Sequence, residues 1–317
     1  MDAMPSELRE PTTESQSSGV FPVELRCYVE DLVARGGPEP HEYAEFSGWI
    51  DRVAEAVASG VFTKDDVLAM ARDLVGRELR GTFWSHVLFK PHGYAGDFEI
   101  IDAMYRQAVH PDPRLSRWDL YFHTEAAPRA VRNRKAYLHA QLRRLCVAKA
   151  DKPLRMLNVA SGPGRDITEW FDRQGCESLL VDCVELDPLA IAYTRKLCNG
   201  RGHALRFHQA NALRFSTEER YDLVWSAGLF DYLNDGLFVK LLRRLLRFTK
   251  PGGELVIGNF GNFNPTRNCM ELLCDWNLIH REGAYLSALA MDAGADADAI
   301  FVGKEPEGIN HFLHIRR

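Results

Sequence analysis

The sequence predicts an α/β fold: a mostly parallel sheet with an antiparallel last strand, preceded by a helical region. Three observations carry this expectation. From Leu154 onward, short apolar runs alternate with helical ones, the mark of an open parallel sheet. Before that point, apolar positions recur at spacings of three and four. Between the two textures, the apolar run in "LNVASGPGRDI" breaks into a turn with Gly162 and Gly164 one residue apart, as a strand does when it hands over to a helix.

Taken in order, residues 1–20 are rich in Ser, Thr, Glu and Pro, and are expected to form a disordered tail. A helical cap region is expected over 21–127. Its segments "VELRCYVEDLVARG", "YAEFSGWIDRVAEAVASG" and "TKDDVLAMARDLVGREL" are separated by Gly and Pro punctuation. A compact "PHGYAGD" loop then leads into another helix. A long amphipathic helix is expected from Pro128 to Ala148, with Arg132, Arg134, Arg143 and Arg144 among its apolar positions. Residues 128–317 form the expected ligand-binding domain. Its strands read "RMLNVA", "SLLVDCVEL", "LRFHQA", "YDLVWSAG" and "GELVIGNF", and its helices "DITEWFDRQ", "PLAIAYTRKLCN" and "LFVKLLRRLLRFT". Pro251-Gly252-Gly253 feeds the fifth strand, and "AIFVGKEPEGINHFLHIRR" reads as a terminal hairpin turning at Gly-Ile-Asn.

Composition narrows the function classes. The chain has 317 residues, 46% apolar and 26% charged, enough for a large core and for two domains or one enlarged one. Its net charge is −5 with the signs interspersed, so no basic stripe suits a phosphate backbone and no nucleic-acid partner is expected. Charges interrupt every apolar run before a bilayer width, and "MDAMPSELREPTTESQSSG" lacks the apolar region of a signal peptide. A cytoplasmic protein with a small-molecule substrate and no membrane partner is expected, while a homodimer stays open. The cysteines at 27, 146, 176, 183, 198, 269 and 274 are odd in number and contain no Cys-x-x-Cys, which favours reduced thiols. With no paired histidines flanking a Glu, no metal is expected.

In an open parallel sheet the ligand sits at the carboxyl ends of the strands. The first such end offers Ala160, Ser161, Gly162, Pro163 and Gly164, where glycine allows close backbone approach. A dinucleotide fingerprint needs a third glycine at position 167, and this chain has Ile167 there. The second end offers Glu185 and Leu186; Glu185 lies 21 residues beyond Gly164 and is suited to a ribose diol. The third offers Asn211, for an adenine edge, and Ala212. The fourth offers Ser226, Ala227 and Gly228, then Phe230, Asp231 and Tyr232.

In this order and at strand ends, these features resemble a class I S-adenosylmethionine-dependent methyltransferase over residues 150 to 317, with a Rossmann-like sheet and a reversed last strand. "KPGGELVI" matches as well. "GYAGDFEIID" and "NPTRNCMELLCDWNLIHR" resemble the bacterial group that includes 3-hydroxypalmitate methyl ester synthase, and also the related azetidine-2-carboxylate synthases. The resemblance implies S-adenosylmethionine as cofactor, held by Ala160, Gly162, Gly164, Glu185, Leu186, Asn211, Ala212, Ser226 and Ala227. Two departures stand out: Asn158 and Ala160 occupy places where many methyltransferases carry an acidic residue and a glycine.

The implied reaction is in-line methyl transfer to a small or fatty carboxylic or hydroxy acid. A carboxylate acceptor needs no general base near neutral pH. Tyr94, Tyr121, Phe230 and Tyr232 are candidates for contact with the sulfonium. Tyr94, Tyr232 and Asp97 are the candidate catalytic residues, although Tyr94 and Asp97 read equally as parts of a plain turn. Arg132 or Arg134, with Arg132 preferred, is the candidate for a carboxylate. Asn262, Asn264 and Arg267 read as substrate contacts, or Asn264 as a helix cap. Asp187 reads as a helix cap, and His92, His123 and His280 read as structural. Two other readings stay open: a cyclase that closes the cofactor on itself to azetidine-2-carboxylate and methylthioadenosine, and a non-catalytic cofactor-binding interaction module.

Overall fold

The computed structural model describes residues 23–149, 153–174, 179–198 and 204–317. The expected N-terminal tail and Cys176 lie outside these residues. The helical region comprises α1 (Val23–Ala34), α2 (Tyr43–Ala58), α3 (Lys64–Glu78), α4 (Phe83–Phe89), α5 (Phe98–Arg106) and α6 (Pro113–Thr124). Local chemistry sets its boundaries. Thr63 and Asp66 exchange side-chain and backbone hydrogen bonds at the start of α3, and Asp112 caps α6 with Pro113 in its first turn. On α2, Phe46, Trp49, Ile50 and Val53 are buried at spacings of three, one and three, the stripe expected of a core-facing helix.

Helix α7 (Ala126–Lys149) is longer than expected at both ends and belongs to two cores. Its first turns bury Ala127, Ala130 and Val131 among the N-terminal helices. Leu138, Leu142 and Leu145, further along, pack against the sheet. The expected division before Pro128 therefore falls inside one continuous helix.

The sheet contains β1 (Leu154–Val159), β2 (Leu179–Glu185), β3 (Leu205–Gln209), β4 (Tyr221–Ser226), β5 (Thr249–Phe260), β6 (Ile300–Lys304) and β7 (Asn310–Arg316) in the spatial order β3-β2-β1-β4-β5-β7-β6. Strands β1 to β5 pair in parallel, and β7 runs antiparallel to β5 and to β6. The terminal hairpin is present with a longer turn than Gly-Ile-Asn. Within it the Glu305 carboxylate accepts hydrogen bonds from the backbone N–H groups of Glu307, Ile309 and Asn310. One face of the sheet packs on α7 and α8 (Arg165–Gln174), near α9 (Pro188–Leu197); the other packs on α10 (Asp235–Phe248) and α11 (Gly283–Asp292). Strand order reverses between β1 and β4, which places the ligand crevice above those two strands. Among the described residues, no helix is long and apolar enough to cross a membrane.

Asp102 on α5 fastens the helical region to the sheet domain. It is 1% exposed and accepts hydrogen bonds from Arg165 at the start of α8, from the Tyr193 hydroxyl on α9 (2.6 Å) and from Arg106 (2.7 Å). Burial works to raise the Asp102 pKa, but the bonds from Arg165 and Tyr193 outweigh it and leave the carboxyl below its ordinary value. Asp102→Asn is expected to lower stability by about 3 kcal/mol, because Arg165 loses its buried counter-charge. A depressed carboxyl pKa contributes stability above the ordinary aspartate value and loses it as pH falls through the folded value. The gap between wild type and variant in urea unfolding should therefore be full at neutral pH and shrink below about pH 4.

Candidate active site

The site is built at the carboxyl edge of the sheet. After β1 the chain turns through Ala160, Gly162 and Gly164, all with positive φ (54°, 54° and 61°). The two glycines serve different ends. A Cβ on Gly164 would lie 2.2 Å from Thr194 Cγ2, so its absence lets α8 and α9 approach each other. A Cβ on Gly162 would meet nothing within 4 Å, because this residue faces the cavity.

Glu185, at the end of β2, braces the turn. Its Oε2 accepts from the Gly162 N–H (2.8 Å), and its Oε1 accepts from Leu186 (2.7 Å) and Asp187 (3.0 Å). A carboxylate offers about four acceptor positions, so capacity toward a ligand hydroxyl remains, chiefly on Oε2. Asp187 caps α9 through the Leu189 N–H, as its place before Pro188 suggested, and also accepts from the Tyr94 hydroxyl at 3.0 Å. Asn211 accepts from Leu213 N–H at 2.9 Å, which occupies its carbonyl and leaves its amide NH2 as a donor.

Above these strand ends, the loop after α4 closes over the crevice. Lys90 at φ 49° ends α4 and donates to Asp275 Oδ2 (2.8 Å), Tyr94 reaches Asp187, and the Tyr232 hydroxyl donates to Ala95 O (3.1 Å) while accepting from Trp276 Nε1 (2.7 Å). Burial, and then the Asp187 carboxylate, push the Tyr94 phenol well above its usual range, so it remains a donor at any working pH.

Beneath the loop lies a cavity of about 830 Å³, toward the upper end of small-molecule sites. One half is walled by Gly162, Glu185, Leu186, Asn211, Ala212 and Ala227, residues from all four strand-end loops. The other half is apolar, with Phe83, Val87, Phe122, Val131, Phe260 and Met270 in its wall. Arg134, buried on α7, enters the cavity beside Gly228; a Cβ on that glycine would lie 3.1 Å from its Nη1. Asn158 also lines the cavity, and its Nδ2 is buried without a hydrogen-bond partner.

The structure brings together Ala160, Gly162, Glu185, Leu186, Asn211, Ala212, Ala227, Tyr94 and Tyr232 around this cavity. It places four other candidates elsewhere. Gly164 packs on Thr194. The Ser226 hydroxyl turns back to Val159 O (3.0 Å) and ties β4 to β1. Asp97, 1% exposed, caps α5 through Glu99 and Ile100 N–H and sits 2.8 Å from His86 Nε2, so it anchors the end of the loop. Arg132 donates to His123 O (2.7 Å) outside the cavity wall. The arginine facing inward is Arg134, which continues the buried spacing of Val131 and Leu138 where Arg132 does not.

Tyr121 and Phe230 are core residues, packed edge-on against Phe46 and Phe238 respectively. Asn264 caps a turn through Thr266 N–H, and Arg267 pairs with Glu271 at the surface. His123 and His280 lie outside the cavity wall, whereas His92 lines it, with Nε2 3.2 Å from Glu99. The residues that sequence reasoning passed over are Asp166, Trp276 and the apolar segment around Cys269 and Met270. Only the helical spacing around Arg134 carried an advance signal for a buried polar group. Among the described residues, no group of three or more His, Cys, Asp or Glu converges as a metal site.

Comparison with known proteins bears on this arrangement. Residues 156–253 match the family described as a methyltransferase domain. A comparison with curated proteins finds no match. Among solved structures, the chain is similar to a possible exported protein from Bordetella parapertussis, with 19% identity over 80% of this chain and 95% of that one and a TM-score of 0.61. It also aligns with the N-methyltransferase NodS from Bradyrhizobium japonicum in complex with S-adenosyl-L-homocysteine, with 17% identity over 68% and 97% of the two chains and a TM-score of 0.42. The first likeness is one of fold. The matched segment runs from β1 into β5 and so includes all four strand-end loops of the cavity; over these residues the chain is similar to a methyltransferase domain.

Proposed function

We propose that this chain transfers the methyl group of S-adenosylmethionine to the carboxylate of a small or fatty carboxylic or hydroxy acid. The observation that supports this reading is the make-up of one cavity: the strand-end loops with Glu185 and Asn211 share it with an apolar wall formed by the helical region together with Phe260 and Met270. A reaction confined to the cofactor itself, as in ring closure to azetidine-2-carboxylate, needs no second chamber.

The residues present fit the cofactor. The orphaned Nδ2 of Asn158, the open side of Gly162 and the spare capacity of Glu185 all face the polar half. In our reading Glu185 takes the ribose hydroxyls, while Asn211 and Ala212 take the adenine edge. Leu186 and Leu189, both more than half exposed, supply apolar surface for the base. When bound, S-adenosylmethionine supplies a methyl group made electrophilic by its sulfonium. Tyr94, Tyr232 and Trp276 line the same cavity, and an aromatic face stabilises such a cation by roughly 0.5 to 2 kcal/mol. The apolar walls around Phe83, Val87 and Val131 orient the acceptor's carbon chain and exclude water. An acceptor carboxylate is already ionised near neutral pH, so the residues have no proton to remove.

Incubation of the purified chain with S-adenosylmethionine and a panel of hydroxy and fatty acids, followed by mass spectrometry, is expected to yield S-adenosylhomocysteine and a methyl ester. Methylthioadenosine and a cyclised amino acid in the absence of any acid would overturn the proposal. Glu185→Ala should weaken cofactor binding by roughly tenfold or more in calorimetry, and unchanged affinity would remove the ribose assignment. Val131→Phe, which fills the apolar half, should lower kcat/KM for the acceptor roughly tenfold while the affinity for S-adenosylhomocysteine holds. Equal losses of both would show that the chamber is not a separate acceptor site.

A further inference from the structure

Two side chains of opposite charge type, Arg134 and Asp231, line the same cavity and form no ion pair with each other among the described residues. Arg134 is 9% exposed; its Nε donates to the Tyr105 hydroxyl (3.0 Å), and it joins no ion pair among the described residues. Asp231, in the turn after β4, is 2% exposed. Its Oδ1 accepts from the Phe260 N–H at 2.7 Å, and its Oδ2 carries no hydrogen bond among the described residues. A buried charge without a partner costs several kcal/mol, so such a pair persists where a ligand of complementary charge completes it. An α-amino acid, carrying one carboxylate and one ammonium on the same carbon, is that ligand. The sulfonium cofactor ends in one.

We infer that Arg134 and Asp231 together hold the amino-acid end of S-adenosylmethionine, the guanidinium taking its carboxylate and Asp231 Oδ2 its ammonium. This rests on the cofactor, and is the same whether the methyl group is transferred or the cofactor closes on itself. It also answers a departure in the sequence: Asn158 leaves the end of β1 neutral, so the carboxylate facing the ammonium comes from the turn after β4 instead.

The other buried carboxylate in the cavity wall, Asp166, is less suited. It sits in the first turn of α8, where free N–H groups already favour a negative charge, and its Oδ1 accepts from Ile167 N–H (2.9 Å). Asp231 sits in a single 3₁₀ turn and not in the first turn of a long helix, and takes one backbone N–H, from Phe260. Burial pushes its pKa up to about 7 against the opposing effects of the Phe260 N–H, Arg134 and Arg281, with the Tyr232 phenol, itself raised by burial, next in the chain. An arriving ammonium favours the ionised form, so binding below that pKa must expel a proton and affinity falls.

The test is calorimetric titration of the full chain with three ligands: S-adenosylhomocysteine, its deaminated analogue with a plain butyrate in place of the amino acid, and methylthioadenosine. Asp231→Asn keeps the acceptor for Phe260 N–H. It should weaken S-adenosylhomocysteine roughly tenfold to a hundredfold while changing the deaminated analogue less than about twofold. Arg134→Gln should weaken both carboxylate-bearing ligands and spare methylthioadenosine. Wild-type affinity for S-adenosylhomocysteine should fall between about pH 8 and pH 6, while the Asp231→Asn variant stays level. Equal losses for amine-bearing and deaminated ligands, or a selective loss that follows Asp166→Asn instead, would overturn the assignment. A wild-type chain that binds none of the three ligands would remove the cofactor itself, a result distinct from wild-type binding that Asp231→Asn leaves unchanged.

Discussion

The Glu185 carboxylate is the joint on which the candidate site depends. Three backbone N–H groups from two turns converge on it: Gly162 from the loop after β1, and Leu186 and Asp187 from the turn after β2. Without it, these part-buried donors would lose their protein acceptor, and the two turns would lose the bonds that hold them together. One acidic side chain therefore fixes the separation of the two loops that floor the cavity. The positive φ at Ala160 and Gly162 is held in the same way, since the Ala160 N–H is tied to Val184 O (2.8 Å) in the neighbouring strand.

The second structural dependence is the sharing of α7 between two cores. Because Val131 packs with the N-terminal helices and Leu138 with the sheet, Arg134 between them is carried to the boundary of the two. The apolar chamber is closed from the far side by the segment after β5. The Thr266 hydroxyl accepts from Ala127 N–H (3.1 Å), and Leu273 O accepts from the Trp84 indole (2.8 Å). Together with the Asp102 clamp, these contacts make the helical region a wall of the cavity and not an appendage to the sheet.

Much of this was legible in the sequence because it depends on local periodicity. The alternation of strands and helices located the carboxyl ends of the first five strands, and the Gly162, Glu185 and Asn211 positions followed from those ends. The three N-terminal helices and the cap at Asp187 were equally local. What failed was the direction in which individual side chains point. Ser226 and Ala227 are neighbours at one strand end, yet one hydroxyl bonds to β1 while the other residue lines the cavity. Asp97 had the composition of a site residue and is consumed by capping α5 and meeting His86. Gly164 was assigned to the ligand, whereas its constraint is the approach of Thr194 from another helix.

By itself, then, the sequence determined the order of the strands, the helices between the first five of them and the turn chemistry at several of their ends. Each of these arises from spacings of a few residues. Only the tertiary structure decided that Arg134 and not Arg132 faces inward, that Asp231 lines the same cavity, and that apolar residues of the helical region share that cavity with the strand-end loops. Those facts depend on contacts between residues more than a hundred positions apart, such as Ala127 with Thr266 and Trp84 with Leu273, and the pattern of one segment carries no record of which distant segment will cover it.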